Sequence, residues 1–289
     1  MKENQNTNIN LASYIGKPIS NTVMYISKKI ESLIKNLEYV ENCLIFCEDS
    51  IDIPSELFLK HVFIKTANPQ LEYAKFVSKL SEDKEQRKRE RKYALTDEGY
   101  YIGEDVLIGK NTTIEPGCFI DHDVIIGNNA KILSGTKIRN AIIGNNFIAG
   151  ENAVIGSSGF IFTRDEKSNL LRIPTLGKVI IGDNVEIGAF SNISAGSAGN
   201  TIINNYVKID VSIYIAHDVV LESNVEITAG VVIGGFTRVE NDTYIGINAT
   251  IRNRITIGEN SLIGMGSVVT KSVPPNKTLI GNPAKYYKN

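Results

Sequence analysis

Histidine, cysteine and net charge are all scarce in this chain, and each scarcity removes a class of function. The three histidines, His61, His122 and His217, include no His-x4-His pair, so a histidine-built metal centre is not expected. The three cysteines, Cys43, Cys47 and Cys118, are an odd set without zinc-pair spacing, which reads as reduced thiols in a cytosol rather than a disulfide framework. With 31 basic against 32 acidic residues the net charge is −1, so no global field draws the chain to nucleic acid or to an acidic membrane. Any anionic ligand must be held by local groups. No apolar run approaches the ~20 residues of a membrane span, and the opening "MKENQNTNIN" has no apolar signal segment, so a cytoplasmic protein is expected.

What the chain does have is a period of six. From Ile203 every sixth residue is branched and aliphatic: Ile203, Ile209, Ile215, Leu221, Ile227, Ile233, Val239, Ile245, Ile251, Ile257, Ile263 and Val269. An earlier series runs from Ile102 to Ile138, resumes after a one-residue slip at Ile143, and is joined to the later one by Ile181, Ile187 and Ile193. The residue four places on is small or β-branched, as at Val219, Val225 and Val231. An α-helix repeats its apolar face at three and four, so two inward positions in six mean short strands joined by corners. Gly or Asn after the aliphatic, as in "IGKN" and "IGNN", supplies the positive φ that tight corners demand.

The fold class expected is mainly β: a left-handed parallel β-helix of about eight coils over 99–272, preceded by a small α/β domain, with a C-terminal tail over 273–289. The front domain, with a charged linker, occupies 1–98. In it "NTVMYIS" (21–27), "NCLIFCE" (42–48) and "HVFIKTA" (61–67) read as strands, and "KKIESLIKNLEYV" (28–40) as an amphipathic helix. Asn68 and Pro69 form a cap and first-turn pair opening a second helix to about Leu80. "SEDKEQRKRERK" (81–92) carries both signs of charge and reads as a solvated helix or linker rather than a nucleic-acid arm. Two segments break the period: 156–180, long enough for a binding loop, and "SAGSAGNT" at 194–201, a loop or a simple bulge.

His217 stands in "SIYIAHDVVLES" between two inward positions, Ile215 and Val219, so it faces away from the coil interior. A core histidine is excluded by register; a solvated one and a catalytic one remain. His122 occupies the same register, two residues after Ile120. A γ-type carbonic anhydrase shares such a solenoid, but His61 lies outside the repeats, leaving too few zinc ligands. A purely structural solenoid would need neither the excursion nor the front domain.

Several stretches together carry a resemblance. "IGSSGF" (155–160), "IPTLGKVIIGDNVEIGA" (173–189), "NT.I" (200–203), "IAHDVVL" (215–221) and "NPQLEYAKFV" (68–77) are similar, in order and spacing, to the UDP-3-O-acylglucosamine N-acyltransferases of lipid A synthesis. The chain departs from them in "SNISAGSAGNT", which lacks their usual acidic-basic pair. Its end, "GNPAK", resembles CoA-dependent acetyltransferases that act on dTDP-linked amino-deoxysugars. The resemblance implies a cytoplasmic homotrimeric N-acyltransferase moving an acetyl or short hydroxyacyl group from acyl-CoA to a nucleotide-linked amino sugar, dTDP-linked, without metal. The alternative it leaves open is the lipid A enzyme itself, charged by acyl carrier protein. It further implies His217 as the base and Asn68, Tyr73 and Phe160 as nucleotide contacts; a backbone N–H near Gly234 or Gly235, one coil further along, where the absence of side chains allows close approach, is the candidate oxyanion donor. Arg252, Arg254, Lys271 and Lys285 are the candidates for the CoA phosphates. Asp218 adjoins His217, but successive strand residues point to opposite faces, so it is not required as the histidine's partner.

Overall fold

The computed structural model describes residues 9–287; the polar opening at 1–8 and the last two residues lie outside them. The chain divides into two compact units. The first comprises the N-terminal part to Arg87 together with Phe160–Gly177 and Ser197–Gly199; the second is the remainder.

In the first unit four parallel strands, β1 (Leu11–Ala12), β2 (Thr22–Ile26), β3 (Leu44–Glu48) and β4 (Val62–Thr66), form a sheet in sequence order. The three strands expected are present, and a short one precedes them. Residues Lys28–Tyr39 wind as 3-10 turns broken at Ile30, whose φ of −124° is not helical, rather than as the continuous α-helix that the apolar spacing suggests. Ser27 makes no side-chain cap, and the Lys28 N–H donates instead to Glu48 Oε2 of β3 at 2.8 Å. The following helix, α1, starts as expected at Pro69, with the Leu71 N–H donating to Asn68 Oδ1 at 3.2 Å. It runs on through the charged segment to Arg89. The excursion from the repeats folds as an antiparallel hairpin, Phe162–Arg164 with Leu170–Arg172. Its Ile173 and Leu176 are buried with Tyr73, Ala74 and Val77 of α1, and Lys75 Nζ lies 2.7 Å from Glu166 Oε1.

In the second unit the hexads lie in three parallel sheets. Ile215 pairs with Ile193 and Ile233, and Ile251 with Ile233 and Val269, so each coil of three hexads stacks on the last. The sheet that starts at Leu107–Ile108 has eight strands, one per coil. Nearly every repeat aliphatic is sealed inside; burying one such side chain stabilises by roughly 1.5–3 kcal/mol. Ile102 and Ile108, on the first coil, are the exceptions: Ile108 is 38% exposed because nothing precedes it in its sheet. The open ends are covered by reversed strands, Ala94–Leu95 on Tyr101–Ile102 at one end and Lys285–Tyr286 on Thr278–Ile280 at the other.

Corners carry the positive φ values. At one corner Asn111, Asn129, Asn146 and Asn184 are all left-handed, and their amides form a ladder of hydrogen bonds of 3.0–3.2 Å. Asparagine suits this place because its short side chain tolerates the conformation and bonds to the coil above. The three cysteines are free and buried, and burial pushes each thiol above its ordinary value.

Candidate active site

The histidine of the repeats sits where a strand turns into a corner. Ile215 and Val219 are fully enclosed in the core and His217 is absent from it, as the register requires. Yet its exposure is only 9%, so it is not a solvated side chain either. Gly159, at the start of the excursion, and Gly235, one coil further along, make its seat. A Cβ on Gly159 would fall 2.9 Å from His217 Cβ, and a Cβ on Gly235 would fall 2.9 Å from Cε1 and 3.0 Å from Nε2.

Asp218 overturns the strand-alternation argument. It is the left-handed corner residue, φ 59°, so the alternation ends one residue early and its carboxylate turns back on its neighbour. His217 Nδ1 lies 2.8 Å from Asp218 Oδ2, and the Asp218 N–H donates to Thr201 Oγ1 at 2.9 Å. An Nδ1–H donated to the carboxylate leaves Nε2 as a lone-pair acceptor on the Gly235 side.

The two candidate oxyanion glycines separate. The Gly234 N–H is spent on Ile251 O at 2.9 Å, part of the coil ladder. The Gly235 N–H has no hydrogen-bond partner among the described residues, and it stands beside His217 Nε2.

His122, in the same register, is built differently. Its Nδ1 accepts the Glu104 N–H at 2.7 Å, Tyr93 stacks on its ring at 4.3 Å, and its exposure is 2%. With Nδ1 occupied as an acceptor, Nε2 carries the hydrogen, the opposite tautomer from a general base.

The other expected residues scatter. Asn68 is exposed and caps α1, whereas Tyr73 is 2% exposed with its ring packed on Tyr25 in the core of the first unit. Tyr73 therefore presents no face to a nucleotide within that unit, contrary to the expectation. Phe160 is 75% exposed and lies 4.9 Å from Phe162, and the Arg172 guanidinium covers both rings. Neither Phe162 nor Arg172 was marked by the repeat pattern, because both lie in the excursion where the period is lost. Lys271 and Lys285 do converge, on a cavity of about 240 Å³ with Val269, Thr270, Ser272, Leu279, Pro283, Ala284 and Tyr286. Arg252 is near its edge, donating to Thr270 O at 3.3 Å. Arg254 is not with them: its guanidinium lies over the Phe236 ring, 4.3 Å from the centroid. No group of three His, Cys, Asp or Glu able to hold a metal occurs among the described residues, and no described helix is long and apolar enough to cross a membrane.

The family description "Bacterial transferase hexapeptide (six repeats)" matches residues 100–140 and 236–271. Those two stretches match the bacterial transferase hexapeptide. A UDP-3-O-acylglucosamine N-acyltransferase from Methylorubrum extorquens is 36% identical over 152 residues, 53% of this chain and 43% of that protein. One from Coxiella burnetii is 38% identical over 132 residues, 45% of this chain and 38% of that protein. The match thus spans less than half the length of these relatives. Among solved structures, a UDP-N-acetylglucosamine acyltransferase from Campylobacter jejuni aligns with a TM-score of 0.58 and 23% identity, over 67% of this chain and 74% of that one. That likeness is one of fold: the hexapeptide solenoid is a left-handed parallel β-helix. The resemblance read from the sequence is borne out at the level of the repeat and of these relatives.

Proposed function

We propose that this chain is a cytoplasmic N-acyltransferase that moves a short acyl group from acyl-CoA to the amino group of a nucleotide-linked amino-deoxysugar, dTDP-linked. The observation that carries the reading is the His217–Asp218 pair at 2.8 Å with the unspent Gly235 N–H beside Nε2. The sugar amine nitrogen attacks the thioester carbonyl carbon as His217 Nε2 takes the amine proton. The carbonyl electrons move onto oxygen, and the Gly235 N–H donates a hydrogen bond to the oxyanion so formed. Collapse re-forms the carbonyl, breaks the C–S bond, and passes the proton from His217 to the leaving thiolate. Asp218 holds the imidazole in the tautomer that starts this cycle and balances its charge when protonated.

The Lys271 and Lys285 ammonium groups at one cavity support CoA as donor, since its phosphates are anionic and the protein has no net field of its own. The names of the relatives favour a UDP-linked acceptor instead. A homotrimer is part of the proposal. One corner stacks Val211, Ala229, Ile247 and Met265 in successive coils, with Val211 41%, Ile247 47% and Met265 77% exposed, an apolar row suited to a second copy. The test is to incubate the protein with dTDP- and UDP-linked amino sugars and short acyl-CoAs and follow free thiol. Thiol release dependent on the amino sugar is expected. Turnover with acyl-carrier-protein thioesters alone would assign the lipid A reaction instead.

A further inference from the structure

Two of the three sheets of the solenoid meet at the corner that carries His217, and their outer faces differ. The sheet that follows the corner turns a row of aliphatic side chains outward, Ile142, Ile180, Ile202 and Val220, each paired in register with the next. The sheet that leads into the corner turns out Val154, Asn192, Tyr214 and Val232 in the same way. A sugar that brings an amine to His217 must keep its hydroxyls hydrogen-bonded, and it finds partners in the second row and not in the first.

Asn192 is fixed in that row by its neighbours. Ser157 Oγ donates to Asn192 Oδ1 at 2.6 Å and lies 3.3 Å from Ser194 Oγ, so three polar side chains are linked. Ser157 stands level with Ser194 because the strand bulges between Ile155 and Ser157. With Oδ1 taken by the serine, the Asn192 Nδ2 hydrogens are turned away from it, and they have no partner among the described residues. Asn192 is half-buried, so its amide is held on one side and open on the other. Tyr214 stands three residues before His217, and Asn192 is its partner one coil earlier. At ~3.3 Å per residue and ~4.8 Å between strands, the Asn192 and His217 backbones are at most about 11 Å apart. Less the reach of two side chains, that gap has room for one sugar ring.

We infer that Asn192 is a specificity-determining residue for the acceptor. Its amide N–H groups donate to a hydroxyl of the sugar ring that carries the amine, and Ser157 holds the amide in the donating orientation. The inference rests on the acyl-transfer reading, because that reading places the amine at His217. Valine occupies the same row at Val154 and Val232, so it suits the strand at this place without supplying the amide.

The experiment compares wild type, Asn192→Val and Ser157→Ala on the nucleotide-linked amino sugar that supports turnover and on analogues in which each ring hydroxyl is replaced in turn by hydrogen. Thiol release gives kcat and KM, and thermal melting checks folding. Wild type is expected to lose roughly tenfold in kcat/KM on one deoxy analogue, the worth of one hydrogen bond. Asn192→Val is expected to lose the same factor on the parent sugar, mainly in KM for the sugar, and to treat the parent and that analogue alike, with KM for acyl-CoA unchanged. Ser157→Ala, which frees the amide to turn, is expected to discriminate less than wild type, and it carries the test if Asn192→Val does not melt cooperatively. A folded Asn192→Val that discriminates as wild type does overturns the inference, as does a wild type indifferent to every ring hydroxyl. Wild type that releases no thiol with any donor and amino sugar overturns the acyl-transfer reading instead. Calorimetric binding of the same sugars then decides the contact: weaker binding of the parent sugar to Asn192→Val supports it, and equal binding, or none to either protein, overturns it.

Discussion

His217 Nδ1 and Asp218 Oδ2 lie 2.8 Å apart although they belong to consecutive residues. In a continuing strand their side chains would leave opposite faces. The left-handed backbone at Asp218 folds the carboxylate back, so the corner that turns the chain here also assembles a dyad. Removing the base, His217→Ala, is expected to lower kcat/KM by about 10²–10⁴. Asp218→Asn is expected to cost a similar factor, because an amide N–H facing Nδ1 forces the hydrogen onto Nε2. Thiol-release kinetics on both variants check this; near-normal turnover in either removes that residue from the mechanism.

Gly235 is required by contact rather than by conformation. Its φ is not in the left-handed region, so alanine suits the backbone, but the added methyl lands 2.9 Å from His217 Cε1. Gly235→Ala is therefore expected to lower kcat by about 10²–10³, the usual loss for a disturbed oxyanion donor, with little change in Tm. Gly266→Ala provides the contrast. It has φ 65° with nothing within 4 Å of the added carbon, so it should cost about 1 kcal/mol of stability and leave turnover unchanged.

The period of six made the solenoid legible, since buried aliphatics recur at strict spacing and Ile203 to Val269 all fall inside. The same period placed His217 outside the coil core. It said nothing of Asp218, because side-chain alternation holds only while the strand continues and the corner begins at that residue. The burial of Tyr73 was hidden for a related reason: a resemblance in "NPQLEYAKFV" fixes the helix but not which of its faces is covered, and Ile173 and Leu176 of the distant excursion help cover this one.

Tyr206 interrupts the asparagine corner. Asn184 precedes it in the stack and Asn224 follows, yet Tyr206 stands there with φ 62° and 56% exposure. A left-handed tyrosine carries conformational strain that asparagine largely avoids, and asparagine would extend the amide ladder toward its neighbours. Tyr206→Asn is expected to stabilise the solenoid by about 0.5–1 kcal/mol, read as a higher midpoint in urea. A lower midpoint would mean that the exposed ring is held by contacts worth more than the strain.

Within the second unit, a buried carboxylate ties Lys88 and Tyr93 to the first coils. Asp121, 4% exposed, accepts from Tyr93 Oη at 2.7 Å, from Lys88 Nζ at 2.9 Å and from the His122 N–H at 2.9 Å. Burial alone would push its carboxyl up, but the Tyr93 hydroxyl, the Lys88 ammonium and the His122 amide together hold it below the ordinary value of 3.8. A carboxyl that is more acidic folded than unfolded adds stability above the unfolded value, and that contribution drains away as pH falls from 3.8 through the folded value. Asp121→Asn removes the charge and leaves Lys88 without its partner, so at pH 7 it is expected to destabilise by about 2 kcal/mol. The gap between wild type and variant should then narrow below pH ~4 as the wild-type carboxyl itself takes up a proton. Urea unfolding of both proteins at pH 7, 5 and 3 measures this, and a gap that stays constant to pH 3 would show that Asp121 acts through packing rather than charge.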